Sequence, residues 1–186
     1  MRRLLLIALI LLCGTGLLNA VSFGERAAAA LQEKGLSPLL IVFLISMIPI
    51  VELRGAIPIG IALFGLPWPQ AVLVSIAGNM LPVPFILLLL DWFLRLIGKY
   101  GWGRRFSEWL HKRTRNRSRV VESYEELGLA LFVGIPLPGT GAWTGALAAK
   151  FLDLPLLKSL LWIFIGVLIA AAVVTAITLL GTTLLG

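Results

Sequence analysis

A chain of 186 residues is long enough for one domain, and 59% of it is hydrophobic while only 13% is charged, against about a quarter in a soluble globule. Apolar stretches near residues 4–22, 39–66, 70–98, 127–152 and 156–185 exceed what a soluble core absorbs, whereas about 20 apolar residues at 1.5 Å rise cross the roughly 30 Å core of a bilayer. With one cysteine and one histidine beside a net charge of +7, a disulfide framework and a Cys/His metal cluster are excluded, no cofactor is expected, and the chain reads as an all-α integral membrane protein.

In chain order, Arg2-Arg3 followed by Leu4–Leu12 has the charge and apolar run of a signal peptide. Leu18-Asn19-Ala20 makes a poor cleavage site because its first residue is bulky, and Leu-Leu before Cys13 is a weak lipobox. The reading adopted is an uncleaved N-terminal transmembrane helix over 1–22, with cleavage as the alternative and Cys13 packed against lipid. Ser22–Gly35 balances Glu25 and Glu33 against Arg26 and Lys34, as an external connector does.

Segment 39–66 starts with an apolar arm of about ten residues, roughly 15 Å of helix or half a bilayer. Pro49-Ile-Val-Glu52-Leu-Arg54-Gly55-Ala-Ile-Pro58 follows; each proline removes a backbone donor, and Gly55 permits a tight reversal. Non-helical backbone at membrane depth persists only when buried in protein or lining a wet cavity. A re-entrant hairpin is therefore expected, with one kinked spanning helix as the alternative. Segment 70–98 spans, carrying Asn79 at mid-depth before Pro82 and Pro84, and an i,i+4 pair of Asp91 and Arg95 near its end.

Lys99, Arg104, Arg105, Lys112, Arg113, Arg115, Arg117 and Arg119 come next, opposed by Glu108. Flanked by spans, this run reads as a cytoplasmic loop under the positive-inside rule. Trp102, Phe106, Trp109 and Leu110 recur at helical spacing, as in an interfacial amphipathic helix on an anionic leaflet. Anionic lipid is the expected partner, nucleic acid is not, and His111 is read as solvated.

Segment 127–154 repeats the broken design: Leu127–Ile135, then Pro136-Leu-Pro138-Gly139-Thr140-Gly141-Ala-Trp143-Thr144-Gly145, then Ala146–Leu152. Ile48-Pro49 matches Ile135-Pro136 at an offset of 87, while Gly65-Leu66-Pro67 matches Asp153-Leu154-Pro155 and Ile76-Ala-Gly78 matches Phe164-Ile-Gly166 at 88. One inserted residue reconciles these offsets. With Arg2-Arg3 and the basic run in the cytoplasm, 70–98 runs inward and 156–185 outward, so both broken segments return to the side they came from. The halves 36–98 and 127–185, joined by the basic segment 99–126, then form an inverted repeat of re-entrant helical hairpin plus transmembrane helix, as in many secondary transporters. The N-terminus is expected in the cytoplasm and the C-terminus outside the cell membrane.

Glu52 and Arg54 are the charges expected at membrane depth, where each costs ~2.5–3.5 kcal/mol on insertion scales. As function, Arg54 holds an anionic group and Glu52 carries a proton, which low dielectric favours on a carboxylate. As structure, they are an ion pair that fixes the hairpin tip. The second tip offers Thr140, Trp143, Thr144 and the amides of Gly139 and Gly141, a setting in which a half-helix N-terminus binds an anion. Gly141-x-x-x-Gly145 equally permits close helix packing. Asn79 lines the cavity or makes an interhelical hydrogen bond, and Lys150 and Asp153 are placed at the interface. There is no His-Glu-x-x-His, no Asp-pair protease motif and no Gly-rich nucleotide loop after a strand, so no catalytic residue is expected and the chain is not read as an enzyme.

The Glu-x-Arg-Gly-Ala-Ile-Pro motif at Glu52–Pro58 and the Pro-x-Pro-Gly-Thr-Gly-Ala-Trp-Thr-Gly motif at Pro136–Gly145 resemble those of the small multidrug export protein family, over roughly residues 36–185. More distantly, the layout resembles the DedA superfamily, whose members carry two opposed re-entrant hairpins and include lipid scramblases and polyprenyl-phosphate translocases. That resemblance implies that Glu52 stands for the acidic residue of a first hairpin. This chain departs from it in an uncharged second tip, with no basic residue until Lys150.

The expectation is a transporter whose tips meet near the midplane and whose halves rock to expose the site alternately. It carries a small amphiphile, with an anionic group held by Arg54 and Glu52 as the proton carrier. Lipid translocation is the runner-up. The rival class is a non-transporting scaffold that docks partners or anionic lipid through the basic helix, and association into a homo-oligomer is left open.

Overall fold

The computed structural model describes residues 21–97, 119–137 and 139–185. The first apolar stretch with Cys13, the basic segment from Gly98 to Ser118 with His111, and Pro138 lie outside the described residues, as do the side chains of Asp91 and Arg95. What is described is helices and the turns between them. Helix α1 covers 21–33, where a connector was expected; Ala27–Ala30 and the Glu and Gln around it are strong helix formers. Gly35 (φ 77) ends it, with Leu36 N–H bonded back to the Leu31 carbonyl, a glycine C-terminus of the αL type.

Helices α2 (Pro38–Ser46), α3 (Glu52–Pro58), α4 (Trp68–Met80), α5 (Pro82–Ile97), α6 (Arg119–Gly134), α7 (Ala142–Phe151) and α8 (Leu156–Leu185) follow. Proline opens α2 and sits in the first turn of α4, where its missing donor costs nothing. The break expected around Gly55 lies earlier, at residues 47–51. Gly55 is a helical residue whose N–H bonds the Val51 carbonyl at 2.9 Å, and the residue that leaves helical geometry is Glu52, at φ 48. Pro58 does not break the path either: α3 widens into a π-helical turn, Ile59–Leu63, a form that absorbs the i→i−4 bond a proline deletes. Helix α6 is continuous across 126/127, where the basic segment was divided from the second half.

Among the described residues, two stretches are long and apolar enough to cross a bilayer: Trp68–Leu90, at mean hydropathy 2.2, and Leu156–Leu184, at 2.8. Only 28% and 39% of these windows are buried inside the protein, so Leu73, Phe85, Leu89, Leu161 and Leu180 face outward. An apolar surface on that scale is costly in water and favourable in hydrocarbon. The described residues form helices without a strand, and the protein is a membrane protein.

Packing sets the helix directions. Gly60 lies against Val42 and Ala71, and Gly78 against Phe43 and Ser46, so α2 and α4 advance the same way. Lys158 pairs with Glu126 at 2.9 Å, while Gly166 meets Ala130 and Val133 and Gly134 meets Ile169; α6 and α8 are therefore parallel too. In each case the short helix between runs back. The opening turns of α4 (Trp68, Val72, Ile76) share a groove with the later half of α8 (Leu168, Thr175, Leu179), which makes those two antiparallel. Leu53 and Ile57 of α3 and Ala142 and Ala146 of α7 enter one core with Val83 of α5 and Ile163 of α8.

The halves also share geometry at their sequence offset. A Cβ on Gly78 would strike the Phe43 carbonyl and Ser46 Oγ; one on Gly166 would strike the carbonyl of Ala130 and the side chain of Val133, 87 residues after Phe43 and Ser46. Gly65 (φ 62) and Asp153 (φ 50) both leave helical geometry before a Leu-Pro that opens a long helix. Glu52 (φ 48) and Gly139 (φ 80) stand 87 apart at the two breaks.

Candidate functional site

The two helix breaks meet. Each leaves backbone groups without helical partners: carbonyls behind α2 and α6, amides ahead of α3 and α7. Arg54, 8% exposed in α3, reaches the carbonyls behind α6. Its Nη1 donates to the carbonyls of Leu137 (2.8 Å) and Thr140, and its Nη2 to those of Val133 (3.2 Å) and Ile135 (3.1 Å) and to Thr140 Oγ1 (3.0 Å). A cation belongs at the negative end of a helix, and a planar guanidinium can serve several acceptors at once.

Glu52, 5% exposed, takes the complementary place. Its carboxylate accepts the amides of Trp143 (3.4 Å) and Ala142 at the start of α7, the positive end of that helix. Gly141 makes this possible. Its backbone (φ 152, ψ −172) lies where essentially only glycine goes, and a Cβ there would collide with the Glu52 carboxylate. The brace is reciprocal: Trp143 Nε1–H donates to the carbonyl of Met47 behind α2, at 3.2 Å. Two charges two residues apart thus plug the two ends of one break, and an indole from that break plugs the other.

Of the expected site residues, the structure brings Glu52, Arg54, Thr140, Gly141 and Trp143 together. The single proton of Thr140 Oγ1 is shared between the carbonyls of Ile135 (2.7 Å) and Leu137 (2.8 Å), so its hydroxyl orders the turn. Thr144 donates back to Gly141 (3.3 Å), and Gly139 is exposed with nothing near its Cβ position. Gly145 lies inside α7, where a Cβ would strike Val133; it is a close-packing residue and does not form the turn. Pro136 lies in the break, Pro49 between α2 and α3. Asn79 is 1% exposed on α4, outside this bonded set. Lys150 is in the last turn of α7 and Asp153 just beyond it. Sequence reasoning missed the Met47 carbonyl, which no side-chain pattern announces. It also missed Ser75, which the helical spacing of Ala71, Ser75, Gly78 and Asn79 could have found.

The family model described as Putative small multi-drug export protein matches residues 52–173, about two-thirds of the chain, from Glu52 into the middle of α8. No curated protein and no solved structure matches the chain. With both motifs of the brace inside that match, the chain belongs to this family of small export proteins, and with it to the membrane transporters.

Proposed function

We propose that the protein exports a small amphiphile, anionic in its polar part, across the cell membrane by proton-coupled alternating access. The brace of Glu52 and Arg54 across the second helix break carries this reading. It is a closed contact between two halves, built from charges that hydrocarbon tolerates only while they are satisfied. An anion arriving at the start of α7 competes with the Glu52 carboxylate for the same amides, and protonation of Glu52 weakens its hold on them. Arg54, released from the α6 carbonyls, then pairs with the anion.

The parallel pairs α2/α4 and α6/α8, the antiparallel α4 and α8, and the offset correspondences of Gly78 with Gly166 and Gly65 with Asp153 support two inverted halves. Each is a re-entrant hairpin plus a spanning helix, and they rock about the tips. The N-terminus is then cytoplasmic and the C-terminus external, with the basic segment 99–119 on anionic lipid. The activity involves no covalent chemistry, so the protein is not an enzyme. One observation favours a second reading, lipid translocation of the DedA type: the groove of about 440 Å³ between α4 and α8 is lined by Trp68, Val72, Ile76 and Ala172, an apolar wall that suits an acyl chain.

Proteoliposomes under a pH gradient separate the readings. A small organic anion is expected to move and a fluorescent lipid to stay, with Glu52→Gln stopping the flux while the protein still folds. Movement of the lipid alone favours translocation. If neither moves and Glu52→Gln changes nothing, the protein is a scaffold.

A further inference from the structure

The buried face of α4 is a stripe of Ala71, Ser75, Gly78 and Asn79, which is small and polar where an apolar stripe would pack. Ser75 is 0% and Asn79 1% exposed, and neither Ser75 Oγ nor Asn79 Oδ1 has a hydrogen-bond partner among the described residues. The other buried hydroxyls behave differently. Ser46 donates to Phe43, Ser159 to Pro155 and Thr175 to Ala171, the local back-bonding expected of hydroxyls in apolar helices. Ser75 has the same recourse within its helix and does not take it.

Pro82 adds a third group. It has no N–H, so the carbonyl of Gly78, four residues earlier, loses its regular helical donor; the Leu81 amide still bonds Ala77 at 3.1 Å. One turn of α4 thus gathers a hydroxyl, an amide oxygen and a released carbonyl at a depth where unmet polar groups are most costly. This turn is level with the tips. Gly60 meets Ala71; Glu52 lies eight residues back along α3 and Asn79 eight residues on along α4, about 12 Å each at 1.5 Å per residue. The contact of Gly78 with Ser46 at the end of α2 fixes the same level.

We propose that Ser75, Asn79 and the Gly78 carbonyl bind water, making this turn of α4 a hydrated wall beside the tip crossing. One water accepts from Ser75 Oγ and donates to Asn79 Oδ1, one turn on, and a second donates to the Gly78 carbonyl, since buried waters serve polar groups that are otherwise unmet. That the polar part of the substrate passes along this wall rests on the export reading; the water site does not.

The test uses the full chain, isotope-labelled in nanodiscs. The Asn79 side-chain amide is the resonance pair lost in Asn79→Asp. Magnetisation transfer from water to that amide is expected, and its loss in Ser75→Ala; no transfer in the unsubstituted chain overturns the proposal. As a second readout, Ser75→Ala and Asn79→Leu should each lower Tm by several degrees, and together by less than their sum, because either one releases the same water. Unchanged or higher Tm values mean that the groups were simply unmet, which also overturns it. Flux is read separately: hydration without transport sinks the export reading and spares the site, and transport without hydration does the reverse.

Discussion

Arg54 meets four backbone carbonyls and a hydroxyl, and these acceptors decide what its substitutions do. Arg54→Met takes the guanidinium from all of them, leaving the Ile135 and Leu137 carbonyls only the Thr140 hydroxyl and the turn amides, and a loss on the order of 3–5 kcal/mol is expected from removing one side of a buried charged network. Arg54→Lys keeps the charge, but its compact ammonium cannot span the break, so it recovers a minor part of that loss in thermal unfolding of the detergent-purified protein. Two glycines of the same turn separate strain from contact. Gly139→Ala meets open space and bears only the strain of φ 80, about 1–2 kcal/mol. Gly141→Ala adds a collision with Glu52 and should cost more stability and also abolish flux. Thermal unfolding and proteoliposome assays of both variants check this; equal effects would mean that Glu52 does not depend on Gly141. Glu52, Arg54 and Gly141 stood out in the sequence because charges in hydrocarbon and glycines in a proline-broken run are conspicuous. What Arg54 binds did not, because its acceptors are main-chain carbonyls about 80 residues away, and every residue has one.

Helix contacts turn on two glycines. Replacing glycine by alanine inside a helix ordinarily gains about 1 kcal/mol, and Gly181→Ala, with nothing within 4 Å, should show that gain. Gly166→Ala places a methyl 2.6 Å from the Ala130 carbonyl, and Gly78→Ala drives one into Phe43 and Ser46. Both contacts are with backbone or a buried side chain, so both variants should lose stability despite the better propensity; Tm values of the three variants give the sign. Elements of this kind were readable from sequence as far as local rules reach. Prolines marked both breaks, and the offset of 87–88 paired Ile76-Ala-Gly78 with Phe164-Ile-Gly166. The first break was misplaced because tertiary contacts hold it. Glu52 keeps a left-handed backbone while its carboxylate is gripped by α7, and a local rule prefers Gly55 for such a turn. Helix α1 was missed because its balanced charges resembled a connector, although its alanines favour helix.

At the scale of the whole molecule, the direction of each helix decides how the chain lies in a membrane. Ser37, before α2, and Gln70, in the first turn of α4, are both exposed, and because α2 and α4 are parallel they stand at the same end. Leu157, at the start of α8, is 79% exposed and stands at the other end, since α8 runs against α4. Cys13 is the single cysteine, so a cysteine-free background needs one substitution. In that background Ser37→Cys and Gln70→Cys should both react with a membrane-impermeant thiol reagent added outside intact cells, while Leu157→Cys reacts only after the membrane is opened. A kinked helix crossing the bilayer at 39–66 would put Ser37 and Gln70 on opposite faces, because one crossing would separate them. Labelling of one and not the other would therefore remove the re-entrant hairpin, and with it the tip-to-tip site as a midplane gate. Labelling of all three from outside would instead leave both hairpins in place and remove the inversion, and a brace with both halves on one side could not open alternately to two.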